Sequence, residues 1–330
     1  MSARDIKAKE KSVNIVFLGT GTLVAGTETS EKLHFAMALI LYSRARFIVN
    51  LLPLLQATTS LKRVVSVLAG GKEGSIDTTD YQGWKVPMHL QRGHAASLVT
   101  LSHEALAQKA PDVSLIHDFP GQVKPGITRG TTGAFWFVIR ALFKIIGPLV
   151  NIPEEESGAR HLFLATSARY PAGANRENTA GVPLADEVKV SRGAGGDTGS
   201  GCYVIDQYGE SAESKVEELL AKMRKDGMVE KVWGHTEAEF LRITGLATVY
   251  QLTVLNELHS QFFHYCLMIC TTYYSNFPNT AIPNATDLQN QRSPTFSIRP
   301  PLRVNDEYYL SLLKSRSIVT KFQSLQSYDT

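Results

Sequence analysis

His94 opens the helical stretch HAASLVTLSHEALAQ at 94–108. An imidazole with an ordinary pKa near 6.5 can give or take a proton at neutral pH, so it is a candidate general acid or base. The plainer reading is a partly exposed residue at a helix start, which needs no catalytic explanation. Downstream, the apolar run VSLIH (113–117) leads into Pro120 and Gly121. Turns past the end of a buried strand are where open α/β sheets place their chemistry. Three further runs invite a phosphate cradle. In LGTGTLVAG (18–26), Gly19 and Gly21 fit the first two positions of a G-x-G-x-x-G turn, but the third falls on Val24. Ile40 and Leu41 stand where a ribose-binding acid belongs. The run RGAGGDTGSG (192–201) precedes a strand instead of joining a strand to a helix, and AGGKEG (69–74) lacks the spacing of a P-loop. Each of these reads as a structural turn.

The elements that would position these groups are legible as periodicity. VNIVFL (13–18), RVVSVL (63–68), VSLIH (113–117) and CYVID (202–206) are apolar on both parities, the pattern of strands covered on both faces of a parallel sheet. Between them lie helical segments: 31–57 with YSRARFIVNLLPLLQ, and 94–108, where Leu98, Val99, Leu101, Ala105 and Leu106 form one apolar stripe. Two more helices are expected within 133–170, and ESKVEELLAKMRKDG (213–227) reads as an amphipathic helix stopped by Gly227. The βαβα alternation predicts an α/β fold with a parallel sheet and flanking helices. After about residue 245 the texture changes to a Pro- and Asn-rich loop at 277–303, so 246–330 is treated as an appendage to a domain at 1–245.

Composition narrows the partners. The chain has 330 residues, 43% of them hydrophobic, enough for a sizeable core. With 34 basic and 31 acidic residues, the charge is close to balance and gives no case for nucleic acid or an anionic membrane surface. Cys266 and Cys270 lie four apart without a second Cys/His pair nearby, so buried thiols are expected and no metal site. The stretch MSARDIKAKEKS is charged and points to the cytoplasm. The apolar stretches 133–150 and 246–270 carry charges within them (Arg140 and Lys144; Glu257, with His264) and read as core helices or a lid instead of transmembrane spans. The sequon Asn284-Ala285-Thr286 has no use in a cytoplasmic chain.

Taken together, VNIVFLGTG, YSRARFIVNLLPLL, RVVSVLAGG, RGHAASLVTLSHEALA, IHDFPGQVKPGI and GCYVID resemble the short-chain dehydrogenase/reductase family, most closely its fungal members from natural-product gene clusters. The similarity runs from about residue 5 to about residue 245. It implies a Rossmann-like sheet, NAD(H) or NADP(H) as cofactor, and hydride transfer at the strand ends on a small secondary-metabolite intermediate. On that pattern LGTG (18–21) resembles the family's Asn-Asn-Ala-Gly turn, with Gly21 as the matching glycine, and Pro120 and Gly121 resemble the turn beside the nicotinamide, with Val123 lining its carboxamide side. The chain departs from the family at the proton donor. The Tyr-x-x-x-Lys pair falls on His94 and Leu98, and the active serine falls on Ala69, leaving Ser66 as the nearest hydroxyl, within a strand. Asn50 sits too near Pro53 to match the helix asparagine.

The resemblance also implies that the strands and glycine-rich turn of the family's nucleotide-binding half are missing, so that the fold is incomplete at its N-terminal side and 13–18 becomes a sheet edge. Several unmade backbone hydrogen bonds at roughly 1 kcal/mol each, and a few hundred Å² of open apolar face, would cost about as much as a domain's whole margin of 5–15 kcal/mol. Self-association through that edge, or its covering by the tail, is expected. Two functions follow: a nicotinamide-dependent oxidoreductase, or a catalytically silent relative or truncated product that serves as a binding or assembly partner.

Overall fold

The computed structural model describes residues 2–123, 131–175 and 180–246. Cys266, Cys270, Glu257, His264, the sequon at Asn284 and the Pro/Asn-rich tail lie outside the described residues. Four strands, β1 (Ile15–Leu18), β2 (Arg63–Val67), β3 (Ser114–Asp118) and β4 (Cys202–Ile205), form one parallel sheet in the order β1-β2-β3-β4. The register places Phe17 beside Val65, Val65 beside Ile116, and Ile116 beside Tyr203. All four apolar runs are strands, and the reason for their double-sided apolarity is visible. Val16, Leu18, Val64, Leu115 and Val204 enter the larger core cluster on one face, while Val65, Ile116, Tyr203 and Ile205 form a second cluster on the other. The fold is Rossmann-like α/β. Among the described residues β1 pairs only with β2 and is an edge strand.

The helices are α1 (Ala3–Lys9), α2 (Phe35–Met37), α3 (Ser43–Ala57), α4 (Met88–Lys109), α5 (Ala134–Val150), α6 (Glu154–Thr166), α7 (Ser214–Lys225) and α8 (Met228–Thr244). A reciprocal capping box between Ser2 and Asp5 starts α1. A π turn at Ala38–Tyr42 joins α2 to α3, so the helical stretch is continuous over Phe35–Ala57. That stretch is long and apolar enough to cross a membrane, yet 83% of its most apolar window is buried inside the fold.

Three expectations need correction. The helix read as opening on His94 begins six residues earlier, at Met88, because Pro87 enters it with φ fixed at −54°. His94 is therefore 1% exposed and not at a helix start. The apolar stripe of this helix is one side of an element that is buried all round over residues 94–106, since α8 packs against α4 opposite the sheet. And the 133–150 segment, α5, is no core helix: Phe137, Val138, Leu142 and Ile145 are all exposed. The sequence reading had also passed over α8, which starts at once after α7 because Gly227, at φ +68°, turns the chain between them.

Candidate functional site at the strand ends

Parallel strands leave their carboxyl ends at one edge of the sheet, and the loops that follow them form the crevice. From α3, the Arg44 guanidinium donates to Leu18 O at 3.0 Å, to Val67 O at 2.8 Å and to Thr20 O, tying the ends of β1 and β2 together. Beside it the backbone is open. A Cβ built on Gly19 would meet nothing within 4 Å, and one on Gly21 only the tip of Leu68, at 3.9 Å. The loop after β2 crosses to the neighbouring strands: a Cβ on Gly70 would lie 2.3 Å from His117 O and 2.8 Å from Ile205 O, so only glycine lets the chain pass there.

On the far side, Gly121 adopts φ +77°, and a Cβ there would stand 2.5 Å from Ile152 Cδ1 and 3.0 Å from the Gln207 side chain. The Pro120 and Gly121 turn is thus closely backed by the chain entering α6 and by the loop after β4. Val123 continues it as a parallel bridge to Ile152. The Lys72 ammonium sits 5.4 Å from the centre of the Phe119 ring, next to this turn.

Ser66 and His94, the residues the sequence offered as proton donors, are not brought together. Ser66 is fully buried in β2 and pairs with His103 Nε2 at 3.0 Å. His94 Nδ1 accepts the Asp77 N–H at 3.3 Å and its Nε2–H donates to Tyr81 O at 3.2 Å, so both ring nitrogens are spent inside the protein. Burial holds its pKa below the ordinary histidine value. Leu98, where the resemblance would place a lysine, is fully buried. Beneath the β2 loop runs a closed chain of hydrogen bonds. Ala69 N–H donates to His117 Nε2 at 3.2 Å, His117 Nδ1–H to Thr100 Oγ1 at 2.7 Å, and the Thr100 hydroxyl to Glu73 Oε1 at 2.7 Å. These groups anchor the loop. A cleft between the π turn and α4, lined by Ile40, Arg44, Ser102 and His103 among others, has room for about one water molecule and is far too small for a ligand.

One proton-bearing pair does stand at the strand ends. Asp118 closes β3 with its side chain on the α6 face, 2% exposed, and its Oδ2 accepts from His161 Nε2 at 3.1 Å. Burial pushes the Asp118 carboxyl up from its usual value, and the His161 hydrogen bond pulls it back down. The imidazole, on α6, also meets the Phe17 ring edge to face at 5.3 Å. It therefore spans from β1 to β3 across the end of β2. Its side chain keeps 18% exposure, and Nδ1 has no partner among the described residues. Sequence reasoning passed over this pair because its members lie 43 residues apart. The signal that could have found it is a carboxylate directly following the apolar run VSLIH.

No family model matches the chain. It is 36% identical over 245 residues to an oxidoreductase of Emericella nidulans, a match covering 72% of this chain and 71% of the relative. An oxidoreductase of Emericella variicolor is 32% identical over 246 residues, covering 73% and 71%. A Stachybotrys chartarum protein named as a short-chain dehydrogenase/reductase is 32% identical over 218 residues, covering 63% and 58%.

Proposed function

Since the chain belongs to the short-chain dehydrogenase/reductase family of oxidoreductases, we propose that it interconverts a carbonyl and an alcohol on a small natural-product intermediate, using NAD(H) or NADP(H). The observation that carries this reading is the arrangement of groups at the strand ends. Open backbone at Gly19 and Gly21 lies on one side, the Pro120 and Gly121 turn lies on the other, and an ionisable pair stands between. The residues fit the nicotinamide end of such a cofactor: Gly19 and Gly21 would let it approach the main chain, and Pro120, Gly121 and Val123 would flank its carboxamide. The cofactor supplies the hydride, and the chain's own groups orient the carbonyl and carry the proton. Titration of the purified protein with NADPH, and separately with NADH, followed by nucleotide fluorescence, tests this. Saturable binding of either supports it, and no binding of either at millimolar concentration overturns it.

A second reading is favoured by the sealing of Ser66 and His94: a silent relative that serves as a binding or assembly partner, pairing with a second copy along the open edge of β1. It predicts a sedimentation coefficient that rises with protein concentration in a protein that binds neither nucleotide.

A further inference from the structure

The strand ends hold a histidine with one nitrogen fixed by a buried carboxylate and the other left open, and the residues at the family's usual proton-donor positions are sealed or apolar. We infer that His161 is the proton donor and acceptor of the reaction proposed above, with Asp118 as its positioning residue; the inference rests on that reading.

The geometry carries it in three steps. First, the orienting bond is fixed. Asp118 is held at the last position of β3 by the ladder to β2 and β4, and its carboxylate accepts the Nε2–H, which sets the neutral imidazole's tautomer and leaves Nδ1 as the working nitrogen. Second, the ring is braced on its other side by Phe17, so it is held between two strands instead of swinging from α6. Third, its place is right for a ligand bound between the two turns. Phe17 lies two residues before Gly19, and Asp118 two before Pro120, so the imidazole stands between the approaches to both. Arg160, its neighbour on α6, is occupied by Gln207 O and Glu156, and Lys72 by the Phe119 face. Asp206 adds a second negative charge near Asp118.

The chemistry balances. In the reducing direction the imidazolium gives its Nδ1 proton to the carbonyl oxygen as the carbonyl carbon receives a hydride, two electrons and one proton, from the reduced nicotinamide. The C=O π bond becomes the C–H and O–H bonds of the alcohol. The imidazole keeps its Nε2–H on Asp118 and is reprotonated from water. In the oxidising direction Nδ1 takes the hydroxyl proton. A positioned acid of this kind contributes typically 10²–10⁴-fold.

Three measurements on the full chain test the assignment. With phenanthrenequinone as carbonyl probe and NADPH or NADH, whichever binds, His161→Asn should lower kcat by 10²-fold or more while the nucleotide Kd stays within about threefold. Asp118→Asn should lower kcat and alter the shape of its pH profile with KM little changed. Independently of turnover, diethyl pyrocarbonate should carbethoxylate His161 in the wild type, as located by mass spectrometry of peptides, and bound nucleotide should slow that reaction severalfold. The assignment is overturned if folded His161→Asn, or His161→Gln should the first variant fail to fold, keeps kcat within twofold. Nucleotide binding that leaves His161 modification unchanged also overturns it, and does so if the probe is not turned over. Failure of the wild type to bind either nucleotide removes the oxidoreductase reading, and the assignment with it. Intact binding combined with an inert His161 removes the assignment alone.

Discussion

The side chains that look most reactive on paper are used here as structure, and their removal should show it. Ser66 Oγ is the partner of His103 Nε2, and His103 Nδ1 is already buried without one. Ser66→Ala would strand both ring nitrogens away from water, which costs about 1–3 kcal/mol for each newly unsatisfied group. A urea midpoint lowered accordingly, with the slope unchanged, is the expected result. Arg63 makes the same point on the other face of the sheet. Fully buried, it donates to Leu164 O at 3.0 Å, Ser167 O at 2.8 Å and Tyr170 O at 2.6 Å, and burial pulls its pKa down to about 10. It fastens the end of α6, and with it the helix that carries His161, to β2. Arg63→Met leaves three carbonyls unpaired and should lower stability by about 2–4 kcal/mol, measured by the same denaturation. Nucleotide titration of that variant would show whether loosening α6 also disturbs the crevice.

At the scale of elements, the loop after β2 is the tightest piece of the site. Gly70 passes so close over the ends of β3 and β4 that a methyl group would overlap the carbonyl oxygens of His117 and Ile205, both of them backbone atoms that cannot step aside cheaply. Gly70→Ala should therefore cost about 2–4 kcal/mol, read as a lowered Tm, where an alanine at the open Gly19 should be nearly neutral for stability. This contrast also bears on what a sequence can disclose. The four strands were legible because burial on both faces forces apolar residues onto both parities, and their parallel order followed from the alternation with helices. The glycines at 69–74 were legible only as a turn, since the reason for Gly70 is a carbonyl on a strand nearly fifty residues away. The true start of α4 was hidden by an expectation that polar residues face water. Ser97, Thr100 and His103 are buried against the sheet and the loop after β2, where Gly74, Glu73, His117 and Ser66 meet their polar atoms, and a one-helix reading cannot see partners on other elements. The pair of His161 and Asp118 was invisible for the same reason: its members are brought together by the packing of α6 on the sheet, and neither stands in a local motif.

For the molecule as a whole, two surface and electrostatic properties follow from where side chains ended up. Along α5, Phe137, Val138, Leu142 and Ile145 point outward, an apolar patch of the kind that draws copies together at high concentration. Replacing Phe137 with Glu and Ile145 with Lys should lower the light-scattering signal at high concentration with Tm within a degree or two, because neither side chain packs in the core. The response to acid is set by the interior. His34, His94 and His103 are each less than 5% exposed, and burial holds all three pKa values below the 6.5 of an unfolded histidine. Above pH 6.5 these rings are neutral in both states and the fold keeps its full stability. As pH falls through 6.5 the unfolded chain binds protons that the folded chain refuses, so stability is lost, by up to about 1.4 kcal/mol per ring one unit lower. Buried Asp118 and Glu104 act with the opposite sign, since their raised pKa values let the folded chain take protons first on the way down. Their relief begins as pH falls through the raised folded values and is complete only below the ordinary carboxylate range of about 4, and two such groups stand against three histidines at pH 5.5. Calorimetry should accordingly show a lower Tm at pH 5.5 than at pH 7.5. His94→Asn, though less stable at neutral pH for want of its bonds to Asp77 and Tyr81, should lose less between the two pH values than the wild type does. An equal loss in both proteins would mean that His94 takes up its proton as readily folded as unfolded, which its burial between those two backbone groups forbids.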